Sequence, residues 1–150
     1  MPQSLANVLV HAVFSTGERR PIIPKEVQPE LFAYLGGTLR NIGCQPIQIG
    51  GMSDHVHILL RLARTSSVAD VAEKMKSHSS KWIKTKDGVP ADFRWQAGYG
   101  AFSVSAEHED QVVSYIKNQE AHHREQGYQD EFRALLREAG LEFDERYLWD

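Results

Sequence analysis

The order of patterns along this chain predicts an α+β sandwich: one mostly antiparallel sheet with helices on one face and extra helices at the C-terminus. Three observations carry the prediction. Four short runs are rich in β-branched and aromatic residues or alternate apolar with polar. Two segments with helical periodicity separate the first run from the second and the third from the fourth. The 150 residues contain no repeat and no low-complexity stretch, which suggests a single domain over 1–150.

Taken in order, residues 5–15 (LANVLVHAVFS) read as a strand. STGERRPIIP is a loop punctuated by Pro21 and Pro24. Over 26–42, Val27, Leu31, Leu35, Leu39 and Ile42 recur at spacings of four and three, which predicts a helix ending before Gly43. Gly36 and Gly37 inside it cost about 1 kcal/mol each relative to Ala, so a close approach to that backbone is expected. Residues 45–50 form a short strand, Gly50-Gly51 begins a turn, and 54–62 is a strand with a near-continuous apolar run. Ser66-Ser67 can cap a helix over 68–84, with Val68, Val71, Ala72, Met75, Ser79 and Trp82 on one face and Lys74, Ser77, Lys81 and Lys84 on the other. A loop leads to a strand at 101–105, a helix over about 108–124, and a last helix over about 129–139. Strand–helix–strand–strand–helix–strand is the ferredoxin-like order.

Composition is that of an ordinary globular protein, 41% hydrophobic and 25% charged. The single Cys44 excludes an internal disulfide and fits a reducing compartment. No stretch is long and apolar enough to span a membrane, and the N-terminus lacks the basic start of a signal peptide, so the expected location is cytoplasmic. Residues 1–106 carry 12 Lys and Arg against 8 Asp and Glu; residues 107–150 carry 5 against 12. The basic part could face a polyanion, although solvated surface explains the same charges.

The chemistry concentrates in two places. His55 and His57 are two apart in a strand, so both imidazoles project from one face while Val56 points to the other. Such a pair can hold a cation or simply hydrogen-bond to neighbours. A jelly-roll metal site would need a Glu a few residues later, where this strand has Arg61 and Leu62. A barrel amidohydrolase needs about 250 residues. No Cys-x-x-Cys accompanies the pair. In the helix near 108–124, Tyr115 and Gln119 stack at i, i+4, and His122 joins their face. Each feature alone is ordinary packing. Together they suit phosphoryl chemistry. A tyrosine hydroxyl can attack phosphorus, and a cation on His55, His57 and Gln119 would keep its full charge to polarise the phosphate. No G-x-x-x-x-G-K-[ST] is present, and no nucleotide cofactor is expected. Lys74, Lys81 and Lys84, with Arg19, Arg20, Arg61 and Arg64, are candidate phosphate contacts. Trp95, Tyr99 and Phe102 are candidates for base stacking.

With these residues quoted, VFSTGERRPII, SDHVHILL, SVADVAEKMKSHSSKWI, FRWQAGYGAFSVS, VVSYIKNQEAHH and EFRALLREAGLEFDERYLW resemble, in order and spacing, the single-tyrosine transposases of short bacterial insertion sequences. Their signature is histidine–hydrophobic–histidine, and REP-associated relatives are included. The resemblance implies a homodimer acting on single-stranded DNA hairpins, with Mg²⁺ or Mn²⁺. It implies a 5′-phosphotyrosine on Tyr115 and metal ligands His55, His57 and Gln119. In such proteins the tyrosine helix of one subunit can serve the histidines of the other. Two other readings remain open from the residues: a catalytically silent nucleic-acid-binding relative, and a hydrolytic nuclease.

Overall fold

The computed structural model describes residues 2–123 and 126–150. Its strands are β1 (Leu9–Ser15), β2 (Gln45–Gly51), β3 (His55–Arg61) and β4 (Gly100–Val104). They form one sheet in the order β2-β3-β1-β4, and every neighbouring pair is antiparallel. Helix α1 (Gln28–Asn41) connects β1 to β2, and α2 (Val68–Ile83) connects β3 to β4. This is the ferredoxin-like arrangement the sequence predicts. After β4 come α3 (Glu109–Lys117), α4 (Gln119–His123), α5 (Tyr128–Glu138) and the short α6 (Glu145–Leu148). None of the described helices is long and apolar enough to cross a membrane.

The two-residue period of the strands divides the interior. Val10, Ala12 and Phe14 of β1 and Val56, Ile58 and Leu60 of β3 pack with Leu31, Leu35 and Leu39 of α1 and Val71 and Met75 of α2. Each fully buried Val, Leu, Ile, Phe or Met among them contributes about 1.5–3 kcal/mol. The opposite face carries Val13, on which Tyr128, Phe132 and Leu136 of α5 build a second, smaller core. The two ferredoxin-type helices therefore cover one face and the added C-terminal helices the other. β1 is buried at every position and β3 at all but its last residue. That explains why β3 reads as a nearly continuous apolar run.

Four local details position the site or depart from expectation. Residues 5–8 do not join β1, because both partner strands run out opposite Leu9, at Arg61 and at Val104. Ser67 does cap α2, its Oγ accepting from the Asp70 N–H at 3.1 Å. The helix expected over 108–124 is broken: α3 stops at Asn118 (φ −99°, ψ 24°) and α4 resumes at Gln119. Residue 124, its expected end, lies outside the described residues. Nothing approaches Gly37 within 4 Å of where a Cβ would stand, and Gly36 has only ordinary contacts. A close approach of helix to strand occurs instead at Gly50, where a Cβ would sit 2.7 Å from the Ile116 carbonyl oxygen. That glycine lets the tyrosine helix lie directly on β2.

Candidate metal and nucleophile site

β3 enters the sheet with His55 and His57 facing the C-terminal helices, and both side chains are fully buried. Each ring is fixed through its Nδ1. His55 Nδ1 lies 2.7 Å from Asp54 Oδ1, and His57 Nδ1 lies 2.8 Å from Nε2 of His11, two residues before Val13, the β1 partner of His57. Tyr128 stacks on the His55 ring at 4.4 Å. Both Nε2 atoms are thereby aimed at the same point under α4 and α5. Such outer partners set the tautomer and orientation of metal-binding histidines.

Opposite them stand Gln119, His123 and Glu131. Gln119 Oε1 lies 3.1 Å from His55 Nε2 and 3.0 Å from His123 Nε2. Glu131, buried in the first turn of α5, divides its two oxygens between two groups. Oε1 lies 2.9 Å from His57 Nε2, 3.2 Å from His123 Nε2 and 3.6 Å from His55 Nε2. Oε2 accepts from the Tyr115 hydroxyl, from Gln119 Nε2 at 3.3 Å, and lies 3.1 Å from His122 Nε2. The Tyr115 hydroxyl is also 3.4 Å from His122 Nε2. A cleft of about 130 Å³ opens here, lined by Tyr115, His122, Gln126, Ala134 and Leu135 among others.

The electrostatics follow from burial. Burial, with repulsion from neighbouring imidazoles, lowers His57 to about 4 despite its bond to Glu131. Burial and then His57 lower His11 to about 3. Both are neutral at pH 7, the form in which imidazole binds metals. Burial opposes ionisation of Glu131, but bonds from His123, His57 and Tyr115 outweigh it and hold the carboxyl below the ordinary range. Burial and the Glu131 carboxylate push the Tyr115 phenol up. Among the described residues, one buried side-chain polar atom, the Tyr128 hydroxyl, has no hydrogen-bond partner.

The structure puts His55 with His57 and Tyr115 with Gln119 and His122, as their spacings suggested, and brings the two groups together within one chain. It adds His11, His123 and Glu131, which sequence reasoning missed. The candidate DNA contacts are dispersed. Arg19 and Arg20 follow the end of β1 whose Ser15 pairs with His55; Arg19 lies over the Trp149 ring at 5.3 Å and Arg20 pairs with Asp92 at 3.2 Å. Lys74 and Lys81 on α2 and Lys84 at its C-terminal end are exposed, and α2 packs on the other face of the sheet. Arg61 pairs with Glu109 at 3.4 Å and Arg64 is exposed. Trp95 is core: its Nε1–H donates to Ser79 Oγ at 2.9 Å. Phe102 packs beside Phe132, whereas Tyr99 stands at a groove of about 350 Å³ near Lys76.

The tyrosine hydroxyl thus lies beside a buried histidine and carboxylate cluster whose donor atoms could hold a cation, on a ferredoxin-like sheet. The sequence is more specific. The chain belongs to the IS200-like transposase family, whose model matches residues 4–119. A comparison with curated proteins gives no match. Two solved structures share the fold. One is a protein of Deinococcus radiodurans R1 assigned as a transposase, with TM-score 0.61 and 21% identity over 79% of this chain and 98% of that one. The other is a REP-associated tyrosine transposase bound to a REP hairpin, with TM-score 0.60 and 10% identity over 82% of this chain and 72% of that one.

Proposed function

We propose that this transposase cuts and rejoins single-stranded DNA at hairpin-bearing ends through Tyr115, with a divalent cation, Mg²⁺ or Mn²⁺, at His55, His57 and Gln119. The observation that carries the reading is the Tyr115 hydroxyl hydrogen-bonded to a carboxylate whose other oxygen touches His57. The donor set suits a cation, since two oriented imidazoles and an amide oxygen converge. When bound, the cation supplies Lewis-acid polarisation of the scissile phosphate. Tyr115 Oη attacks phosphorus and the P–O3′ bond breaks. The phenol proton passes along its existing bond to Glu131 Oε2, and solvent protonates the departing 3′ oxygen. Tyr115 is left with a 5′-phosphotyrosine, and rejoining reverses each transfer. Transesterification keeps the bond energy, so no nucleotide is required.

The relative bound to a REP hairpin supports a hairpin as the form of DNA read. Arg19 and Arg20 are proposed to hold phosphates near the site; Lys74, Lys81 and Lys84 can reach only a strand that continues across the molecule's other face. A homodimer belongs to the same proposal. Within one chain the Tyr115 hydroxyl stands beside the histidines through Glu131, which supports use of a chain's own tyrosine in the dimer.

The test is incubation with Mn²⁺ and a 3′-labelled single-stranded hairpin from beside the gene, followed by a denaturing gel. A label shifted to protein mass, absent in Tyr115→Phe and His57→Ala, is expected. Free cleaved DNA without a shift would mean hydrolysis. Binding without cleavage on two different hairpins would mean a silent DNA-binding relative.

A further inference from the structure

We propose that His123 and Glu131 are themselves metal ligands, completing with His55, His57 and Gln119 a nitrogen-rich site that takes Mn²⁺, Co²⁺ or Zn²⁺ in preference to Mg²⁺. The inference rests on the metal-site reading above and extends it to two residues beyond the 4–119 stretch that matches the family.

The geometry is that of a coordination shell. Ligands about 2.0–2.2 Å from a common centre lie about 3.0–3.5 Å from their neighbours. Around Glu131 Oε1 the histidine Nε2 atoms stand at 2.9, 3.2 and 3.6 Å, and around Gln119 Oε1 at 3.1 and 3.0 Å. One ligand atom each from His55, His57, His123 and Glu131 lie within 4.8 Å of one another. His55, His57 and Glu131 are buried and the His123 side chain is 9% exposed, so this is not a surface cluster. Two of the three imidazoles have Nδ1 held by a partner, as metal-bound histidines do.

The donor types set the choice of ion. Three imidazoles with one carboxylate suit borderline transition metals, whereas Mg²⁺ favours oxygen and keeps its waters. The carboxylate also lowers the net charge of the filled site. It couples two functions, because Oε1 faces the ligands while Oε2 holds the Tyr115 hydroxyl. Glu131 thus ties the nucleophile, whose proton it accepts, to the metal.

The test uses the whole protein and metal alone. Co²⁺ is titrated by calorimetry and visible absorption, and Zn²⁺ is added to ¹⁵N-labelled protein while histidine ring nitrogens are followed by NMR. The expected result is that His123→Ala and Glu131→Gln weaken Co²⁺ binding by roughly 100-fold or more, as His57→Ala does, because even outer-shell losses cost roughly 10- to 100-fold. In the wild type, three Nε2 resonances, those of His55, His57 and His123, move with Zn²⁺. This measurement stands if a variant fails to fold. If only His55 and His57 move, or if both variants bind Co²⁺ like the wild type while His57→Ala does not, His123 and Glu131 are not ligands and the simpler site survives. If the wild type binds neither ion, both readings of the metal fall. Wild-type binding of Mg²⁺ as tight as Co²⁺ would overturn the selectivity.

Discussion

Gly50→Ala tests how the fold places the nucleophile. The new Cβ would stand 2.7 Å from the Ile116 carbonyl oxygen and 2.9 Å from its Cγ2. Ordinary contact begins near 3.4 Å, so α3 must retreat by several tenths of an ångström, to about 0.7 Å. Backbone, not a flexible side-chain end, is the obstacle, and Tyr115 is the residue before Ile116, so it moves with the helix. Overpacking of this kind costs about 1–3 kcal/mol, which a domain with about 5–15 kcal/mol of stability survives. Misplacing a reacting group by about 1 Å costs roughly 10²-fold in rate, so a retreat of this size should slow cleavage by roughly 10- to 100-fold. The assay is single-turnover cleavage of hairpin DNA at saturating protein with Mn²⁺, paired with urea melts and a binding titration. The rate should fall while DNA affinity holds. An unchanged rate in a folded variant would refute the argument that Gly50 sets the position of Tyr115.

Gly37→Ala meets nothing within 4 Å and should stabilise the protein by up to about 1 kcal/mol in a urea melt, with cleavage unchanged. His11 and His57 titrate well below 6.5 when folded, so protonation favours unfolding. Their contribution to stability is present above pH 6.5 and is lost as pH falls towards about 3–4. Glu131 adds a loss in the same direction below its ordinary range. Stability should therefore drop by up to about 1.4 kcal/mol per pH unit per proton taken up, and His11→Gln should make the slope shallower in melts between pH 7 and 4. Arg19→Ala should lower hairpin affinity and reduce the log–log salt slope by roughly 0.7, one single-strand phosphate contact. Replacing Lys74, Lys81 and Lys84 together with Ala should leave the rate at saturating DNA unchanged, because α2 lies across the sheet from Tyr115.

Much of the fold was legible because periodicity and burial coincide. β3 announced itself as a strand covered on both faces, and α1 and α2 by apolar residues at spacings of three and four. The histidine pair followed from the two-residue period of a strand, and Tyr115 with Gln119 from the four-residue period of a helix. That relation survived the break at Asn118, since α4 restarts at once. Glu131 was hidden by an ordinary role. An acid in the first turn of a helix complements its dipole, and nothing local distinguishes it from Asp130. A signal did exist: Glu131 falls inside the apolar stripe of Tyr128, Phe132 and Leu135, where an unpaired carboxylate would be costly. His123 likewise sits four residues after Gln119, on the same face. His11 was masked because a histidine in an apolar strand is indistinguishable from its neighbours until β1 and β3 are paired. The glycines misled for the converse reason. Gly36 and Gly37 pay a helical cost without any close neighbour, whereas Gly50, which reads as turn, carries the close contact.

The most direct measurement is peptide mapping of the DNA–protein adduct by mass spectrometry, with fragmentation to locate the modified side chain. The account predicts a nucleotide phosphate on Tyr115 and on no other residue, with adduct formation retained in Tyr128→Phe and lost in Tyr115→Phe. A phosphate on Tyr128, whose ring stacks on His55, would contradict the assignment of the nucleophile, as would an adduct that persists without Tyr115.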